Sequence, residues 1–288
     1  MIGRVRHLLD RLERIVWSRK AYRFFIRGWL EIGDSRAATQ VVNTMRSLQQ
    51  IAPIELPGPA GRSILVVAPH PDDEVIGTGG TVIKAIAAQA KVHVLYLTSG
   101  SAEDRAVREK EAAAVARHVG FSHRFLSWAE GNIPLDDAAI GLFASAVEEF
   151  GADTLLLPFL LDDHDDHRRA SELLLQAVRR GILRARPEIW AYQVYSAVLP
   201  NVVVDVTEQK SAKDQAIRFY DSQMKSRDWA NFSTGLSAWT SRLLKGRREA
   251  AYAEAFLVLP CEDYVAMAAI YFNHGADGTY CHNYRSQS

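Results

Sequence analysis

Ser63-Ile64-Leu65-Val66-Val67-Ala68 runs without a break into Pro69-His70-Pro71-Asp72-Asp73-Glu74. Six residues that suit a strand buried on both faces end in a turn holding one imidazole and three carboxyls. Two prolines stiffen that turn. A second passage is built the same way, where Thr154-Leu155-Leu156-Leu157-Pro158-Phe159-Leu160-Leu161 gives way to Asp162-Asp163-His164-Asp165-Asp166-His167. Residues 91–97 and 123–126 read as further short strands. Residues 79–89, 102–119 and 136–150 read as helices, the second stopped by Gly120. Strand and helix in alternation predict an α/β fold, a parallel sheet covered by helices on both sides. In such sheets the working residues gather in the loops after the strands, which is where both acidic turns fall.

Polar groups packed this densely at the end of a buried strand cost free energy unless a partner compensates them. A histidine and a carboxylate three residues apart, His70 and Asp73, can reach one divalent cation. Asp72 is then free to take a proton from water. The competing reading is that Asp72 or Asp73 merely caps the following helix. Gly77, Gly79 and Gly80 fit neither a Walker loop nor a dinucleotide fingerprint, and they let helix and backbone approach closely. In the second turn, two histidines three apart offer a third ligand at His167 and an electrophile at His164. Asp166 or Asp163 could orient the His164 imidazole. A solvated charged loop is the alternative. The two turns form one site if their strands are neighbours, and three protein ligands with an open fourth position suit a catalytic zinc.

The hexad Pro69 to Glu74 after its strand, with His164-Asp165-Asp166-His167 after a later one, resembles the PIG-L/LmbE-like zinc-dependent N-deacetylases. The resemblance spans roughly 63–257 and takes in Arg108-x-x-Glu111, Tyr220-x-Ser222-Gln223 and Tyr252-x-Glu254-x-Phe256. It implies a Rossmann-like, mostly parallel sheet with a mixed edge, and removal of acetyl from N-acetylglucosamine-type glycans, glycolipids or conjugates. It also implies metal ligands His70, Asp73 and His167, a general base at Asp72, an oxyanion-stabilising His164, and Arg108 on the sugar. Asp165 stands where that family often has proline, which bears on loop rigidity rather than ligation. The implied cofactor is one Zn2+ per chain, although histidine and carboxylate sites accept other divalent metals.

Other features are less specific. Arg108 could instead pair with Asp104 or Glu111 on its own helix. Glu130 follows the third strand and could reach sugar hydroxyls or lie on the surface, and Tyr220, Ser222 and Gln223 could serve packing at the end of a helix begun near Thr207. Residues 51–62, rich in proline and glycine, read as a linker, dividing an extension, 1–62, from a catalytic domain, 63–288. Within 1–31 eight basic side chains face three acids, around an apolar stripe from Ile2 to Val16. That is a basic amphipathic helix, which packs on a protein surface or lies on an anionic membrane. A second helix is expected from about 34 to 50, and the tail from Gly275 is expected to fray.

Across all 288 residues 34 Lys and Arg balance 34 Asp and Glu, so global charge does not point to nucleic acid. Two cysteines cannot form a disulfide framework. With no long apolar run and no signal-peptide pattern, the chain reads as cytoplasmic, with peripheral membrane contact through 1–31. Two rival functions stay open. One is a two-metal phosphoesterase, and the other a non-catalytic sugar-binding protein.

Overall fold

The computed structural model describes residues 40–41, 52–101, 103–246 and 249–274. The expected N-terminal helices, apart from Gln40 and Val41, and the tail lie outside them. One eight-stranded sheet organises the rest: β1 Ile54–Leu56, β2 Ser63–Ala68, β3 Lys91–Thr98, β4 Ser122–Trp128, β5 Thr154–Pro158, β6 Glu188–Tyr192, β7 Val202–Asp205 and β8 Ala253–Leu259. The spatial order is β1-β7-β8-β6-β5-β2-β3-β4. All neighbours are parallel except at β8, which runs antiparallel to both β6 and β7.

The parallel Rossmann-like sheet and its mixed edge are both present. Alternate residues of each strand enter opposite hydrophobic layers. Leu65, Val67, Leu155 and Leu157 pack on the side of α3 Asp137–Phe150, α4 Asp165–Arg179 and α8 Cys261–His274. Ile64, Val66, Ala68 and Leu156 pack on the side of α1 Asp73–Ala87, α2 Arg105–Val119 and α5 Lys210–Arg218. Two short remaining helices are α6 Asp221–Met224 and α7 Trp229–Thr240.

Several boundaries differ from the sequence reading. The stretch read as a linker contains β1, which pairs with β7 from Ile54 opposite Val202 to Leu56 opposite Val204. Asp153 then fixes its end by accepting hydrogen bonds from the Arg62 and Ser63 N–H groups. The first helix begins at Asp73 and not near Gly79, because its glycines are packing positions within a continuous helix. A Cβ at Gly77 would stand 2.3 Å from the Tyr192 ring, and one at Gly80 would stand 2.6 Å from Val206 Cβ. Gly120 does end α2, in the left-handed conformation at φ 98°.

The topology places the site. β2 is flanked by β3 on one side and by β5 on the other, so the chain switches direction across the sheet between β2 and β5. Ligand sites in open α/β sheets lie at the carboxyl ends of strands at such a switch. The β2–α1 and β5–α4 turns are the two acidic turns.

Candidate metal centre and active site

The β2–α1 turn is held by its own groups. The His70 N–H donates to Asp73 Oδ2 at 2.8 Å, and the Asp73 N–H returns to the His70 carbonyl at 3.3 Å. Asp72, between them, takes φ 124°, a strained value for a residue with a side chain. Its N–H donates to Glu74 Oε2 at 3.0 Å, and the Tyr220 hydroxyl donates to Glu74 Oε1 at 2.6 Å. Across the switch, His164 caps α4, its Nδ1 accepting the Asp166 N–H at 3.1 Å, and His167 follows in the first turn. The positive ends of α1 and α4 therefore both meet the acidic turns.

His70 and Asp73 converge with His167, 97 residues beyond His70 in sequence. His70 Nδ1 and His167 Nε2 each lie 3.2 Å from Asp73 Oδ2 and 3.4 Å from one another. Ligand atoms at zinc bond lengths of about 2.0–2.1 Å and tetrahedral angles stand about 3.3 Å apart. Each histidine's other nitrogen meets a buried carboxylate: His70 Nε2 meets Asp166 Oδ2 at 3.0 Å, and His167 Nδ1 meets Asp162 Oδ1 at 2.9 Å. Such pairs fix the ring and its tautomer in metal sites.

His70, His164 and His167 also offer nitrogens within 4.8 Å of one another. The hydrogen bonds separate the two triangles. His164 Nδ1 accepts a backbone N–H, so the neutral ring carries its proton on Nε2 and presents a donor there, not a ligand. Burial and then the charges of His167 and His70 push His164 down to about 3, which favours the neutral ring. The set with Asp73 is therefore the better cation site.

The electrostatics suit positive charge. Burial lowers the proton affinity of His70, yet Asp166 and Asp73 override it and raise the group to about 9. His167 is held well above its ordinary value, burial being outweighed by Asp73 and Asp162. Asp73 is the reverse case: burial pushes its carboxyl up, but His167 and His70 hold it well below the usual range. Asp72 is pushed up to about 8 by burial and by the neighbouring Asp73 charge.

Arg108 leaves its own helix partners. Its Nη2 donates to the Pro71 carbonyl at 2.8 Å and stands 3.5 Å from Asp72 Oδ1. Gly100, at φ 81°, makes room, since a Cβ there would lie 2.4 Å from Arg108 Cδ. Glu130 sits at the rim, Oε1 3.9 Å from His70 Nε2 and Oε2 3.9 Å from Arg108 Nη1. The structure thus brings Arg108 and Glu130 to the same mouth.

One assignment changes. The Asp166 carboxylate orients His70 and accepts the Gly131 N–H at 2.8 Å, and only its backbone N–H touches His164. Asp162 went without a role in the sequence reading, yet it is fully buried and accepts the N–H groups of Val194, Tyr195 and Ser196 besides holding His167. Its position as the first acid after a wholly apolar strand was the available signal. Tyr195, stacked on His167 at 5.4 Å and His164 at 6.2 Å, carried none.

Residues 65–178, which span both turns and every residue of the cation triangle, match the family model described as PIG-L: GlcNAc-PI de-N-acetylase. Over this stretch the chain is similar to the PIG-L family. A diacetylchitobiose deacetylase of Thermococcus kodakarensis is 26% identical over 194 residues, 58% of this chain and 72% of that one. The N,N'-diacetylchitobiose deacetylase structure from Pyrococcus horikoshii superposes with a TM-score of 0.62 at 23% identity, over 78% of this chain and 94% of that one. The structure of GalB, a 4-carboxy-2-hydroxymuconate hydratase from Pseudomonas putida KT2440, superposes with a TM-score of 0.58 at 20% identity, over 69% and 96%. The fold thus carries more than one chemistry, and the site residues must decide the function.

The other motifs quoted from the sequence also meet in space. Glu111 accepts both the N–H and the hydroxyl of Ser222, at 2.8 and 2.6 Å. Glu254 accepts the Gly80 and Thr81 N–H groups, each at 2.8 Å, and pairs with buried Lys213 at 2.7 Å. These contacts tie α1 and α2 to the later half of the chain. They support the site rather than line it.

Proposed function

We propose that this protein is a zinc-dependent N-deacetylase that cleaves the acetamido group of an N-acetylated amino sugar, releasing acetate and the free amine. The observation that carries the reading is the triangle of His70 Nδ1, His167 Nε2 and Asp73 Oδ2 at 3.2–3.4 Å, with Asp72 beside it. His70, Asp73 and His167 hold one metal per chain. Zinc bound there supplies Lewis acidity and brings a water's pKa towards 7.

Asp72 accepts the proton of the attacking water. Its carboxyl, pushed up to about 8 without metal, would be lowered towards the range a base needs at neutral pH once a cation was held by His70, Asp73 and His167. His164, neutral with a fixed Nε2–H, donates to the oxygen that gains charge as the carbonyl becomes tetrahedral. The carbon–nitrogen bond then breaks, and the departing amine takes its proton from Asp72 or His164. Asp166 holds His70 in register, while Arg108 and Glu130 at the mouth bind sugar hydroxyls. The similarity to diacetylchitobiose deacetylases supports an N-acetylglucosamine-type substrate.

A lipid-linked acceptor, and a cytoplasmic protein touching the membrane through the basic residues 1–31, complete the proposal. No helix among the described residues is long and apolar enough to cross a membrane. The two-metal phosphoesterase reading is weaker, because a second ion needs further ligands and the histidine cluster among the described residues numbers three. The test is metal content by elemental analysis together with acetate release from a panel of N-acetylated sugars. One zinc per chain, lost in His167→Ala, with acetate released only by the loaded wild type, is expected. Two metals per chain, or a loaded enzyme that releases no acetate from any of the panel, would overturn the reading.

A further inference from the structure

Helix α7 is built inside out. It buries Ala230, Ser233, Ser237 and Thr240, and exposes Phe232 by 56% and Trp239 by 66%. A helix of a soluble domain ordinarily turns its large apolar residues inward. Phe232 and Trp239 are two turns apart and share one side. The third exposed aromatic among the described residues, Tyr195, belongs to the same surface, because its ring meets Trp229 at 5.8 Å and Trp229 meets Phe232 at 6.1 Å. An aromatic ledge therefore runs from the metal-site histidines, on which Tyr195 stacks, out along α7.

Its border is basic. The Arg242 guanidinium lies 4.5 Å from the Trp239 ring centroid and the Arg227 guanidinium 5.8 Å from that of Trp229. Between 218 and 245 five Lys and Arg stand against two Asp. Asp221 is engaged by Lys225. Exposed rings ringed by cations are the chemistry of a surface that inserts its apolar side between headgroups and meets their phosphates with guanidinium and ammonium. A sugar platform fits less well: Phe232 offers no hydrogen bond, and the ring of Trp239 is already occupied by Arg242.

We propose that the outward side of α7, Phe232 and Trp239 with Arg227, Arg242 and Lys245, docks the protein on an anionic bilayer and turns the mouth of the site towards the headgroups. This surface is distinct from residues 1–31 and is read without reference to the reaction. The test is co-sedimentation of the full chain with phosphatidylcholine vesicles with and without about 30% phosphatidylglycerol, beside the Phe232→Ser/Trp239→Ser double variant. Both proteins keep the same N-terminal residues, so any contribution from these is common to both. Wild type should bind the anionic vesicles, release them at high salt, and bind about tenfold better than the variant. Arg242→Gln/Lys245→Gln should weaken binding without changing thermal stability. Equal binding by wild type and the aromatic variant would overturn the proposal. So would absence of vesicle binding, or a change of oligomeric state in the variant in place of lost binding. A small soluble N-acetylated sugar should be hydrolysed equally by both proteins, so failure of the hydrolase reading appears separately, as inactivity of both.

Discussion

Asp162→Asn should disable the metal centre while leaving its three inner ligands in place. Oδ2 of Asp162 accepts the N–H groups of Val194, Tyr195 and Ser196 at 3.3, 3.1 and 3.2 Å, so an amide oxygen would stay on that side. The amide NH2 would then replace Oδ1, which now receives His167 Nδ1 at 2.9 Å and the His164 N–H at 3.3 Å. Facing a donor, His167 must make Nδ1 the acceptor and move its proton to Nε2, the atom that points at Asp73. A protonated Nε2 cannot ligate. Loss of such an orienting partner weakens metal binding about 10- to 100-fold, or about 1.4–2.7 kcal/mol. The metal-free protein should also lose about 1–3 kcal/mol, since the NH2 and the His164 N–H oppose one another. Competition against a chromogenic chelator gives the zinc affinity, and denaturation in chelator gives the stability. Unchanged zinc affinity in a folded Asp162→Asn protein would refute the tautomer argument.

Asp72→Asn should retain zinc and lower acetate release by about 10²- to 10⁴-fold, as measured at saturating substrate on protein of verified metal content. Zinc binding should release about two to three protons at pH 7, because His70, raised to about 9, and His167, held well above its ordinary value, both carry protons there that the metal displaces, and Asp72, raised to about 8, gives up part of its own. Apparent affinity should therefore climb with pH up to about 9; calorimetry in buffers of different ionisation enthalpy counts the protons, and none released would contradict the assignment. Gly80→Ala should destabilise by about 1–3 kcal/mol because its Cβ meets Val206 Cβ at 2.6 Å, whereas Gly141→Ala, with nothing within 4 Å, should be neutral or stabilising in the same thermal melt.

The half of the sheet that bears the site was legible because β2, β3 and β5 are mostly apolar runs punctuated by helices, and His70, Asp73 and His167 come in the turns and first helical residues after β2 and β5. The later strands were not. β8 pairs on both flanks with strands far away in sequence, Phe256 standing opposite Tyr192 of β6 and opposite Val202 of β7. Local periodicity holds no record of such register. β1 was hidden by Pro53 and Pro57, residues that punctuate a chain whether or not three residues between them find an edge to join. That His70, Asp73 and His167 would converge could be anticipated because ligand chemistry restricts the residue types. The choice of which carboxylate braces which histidine depends on side-chain direction at a helix start, so Asp166, weighed with Asp163 as a brace for His164, instead braces His70. Tyr220 shows the same limit from the other side, since its hydroxyl serves Glu74, 146 residues away.

The antiparallel β8 has a consequence for how the molecule comes into being. It lies between β6 and β7 although it is the last strand in sequence, so β7 and β1 have no place in the sheet until residues 253–259 have been synthesised and inserted. The same strand carries Glu254, which anchors the middle of α1. A nascent chain can therefore assemble β2 to β6 early, complete with every histidine and aspartate of the metal triangle, yet hold them on an unanchored helix. Ribosome-bound intermediates should collect zinc poorly and expose the edge of β6 to other chains, an aggregation hazard confined to the interval before the final strand arrives.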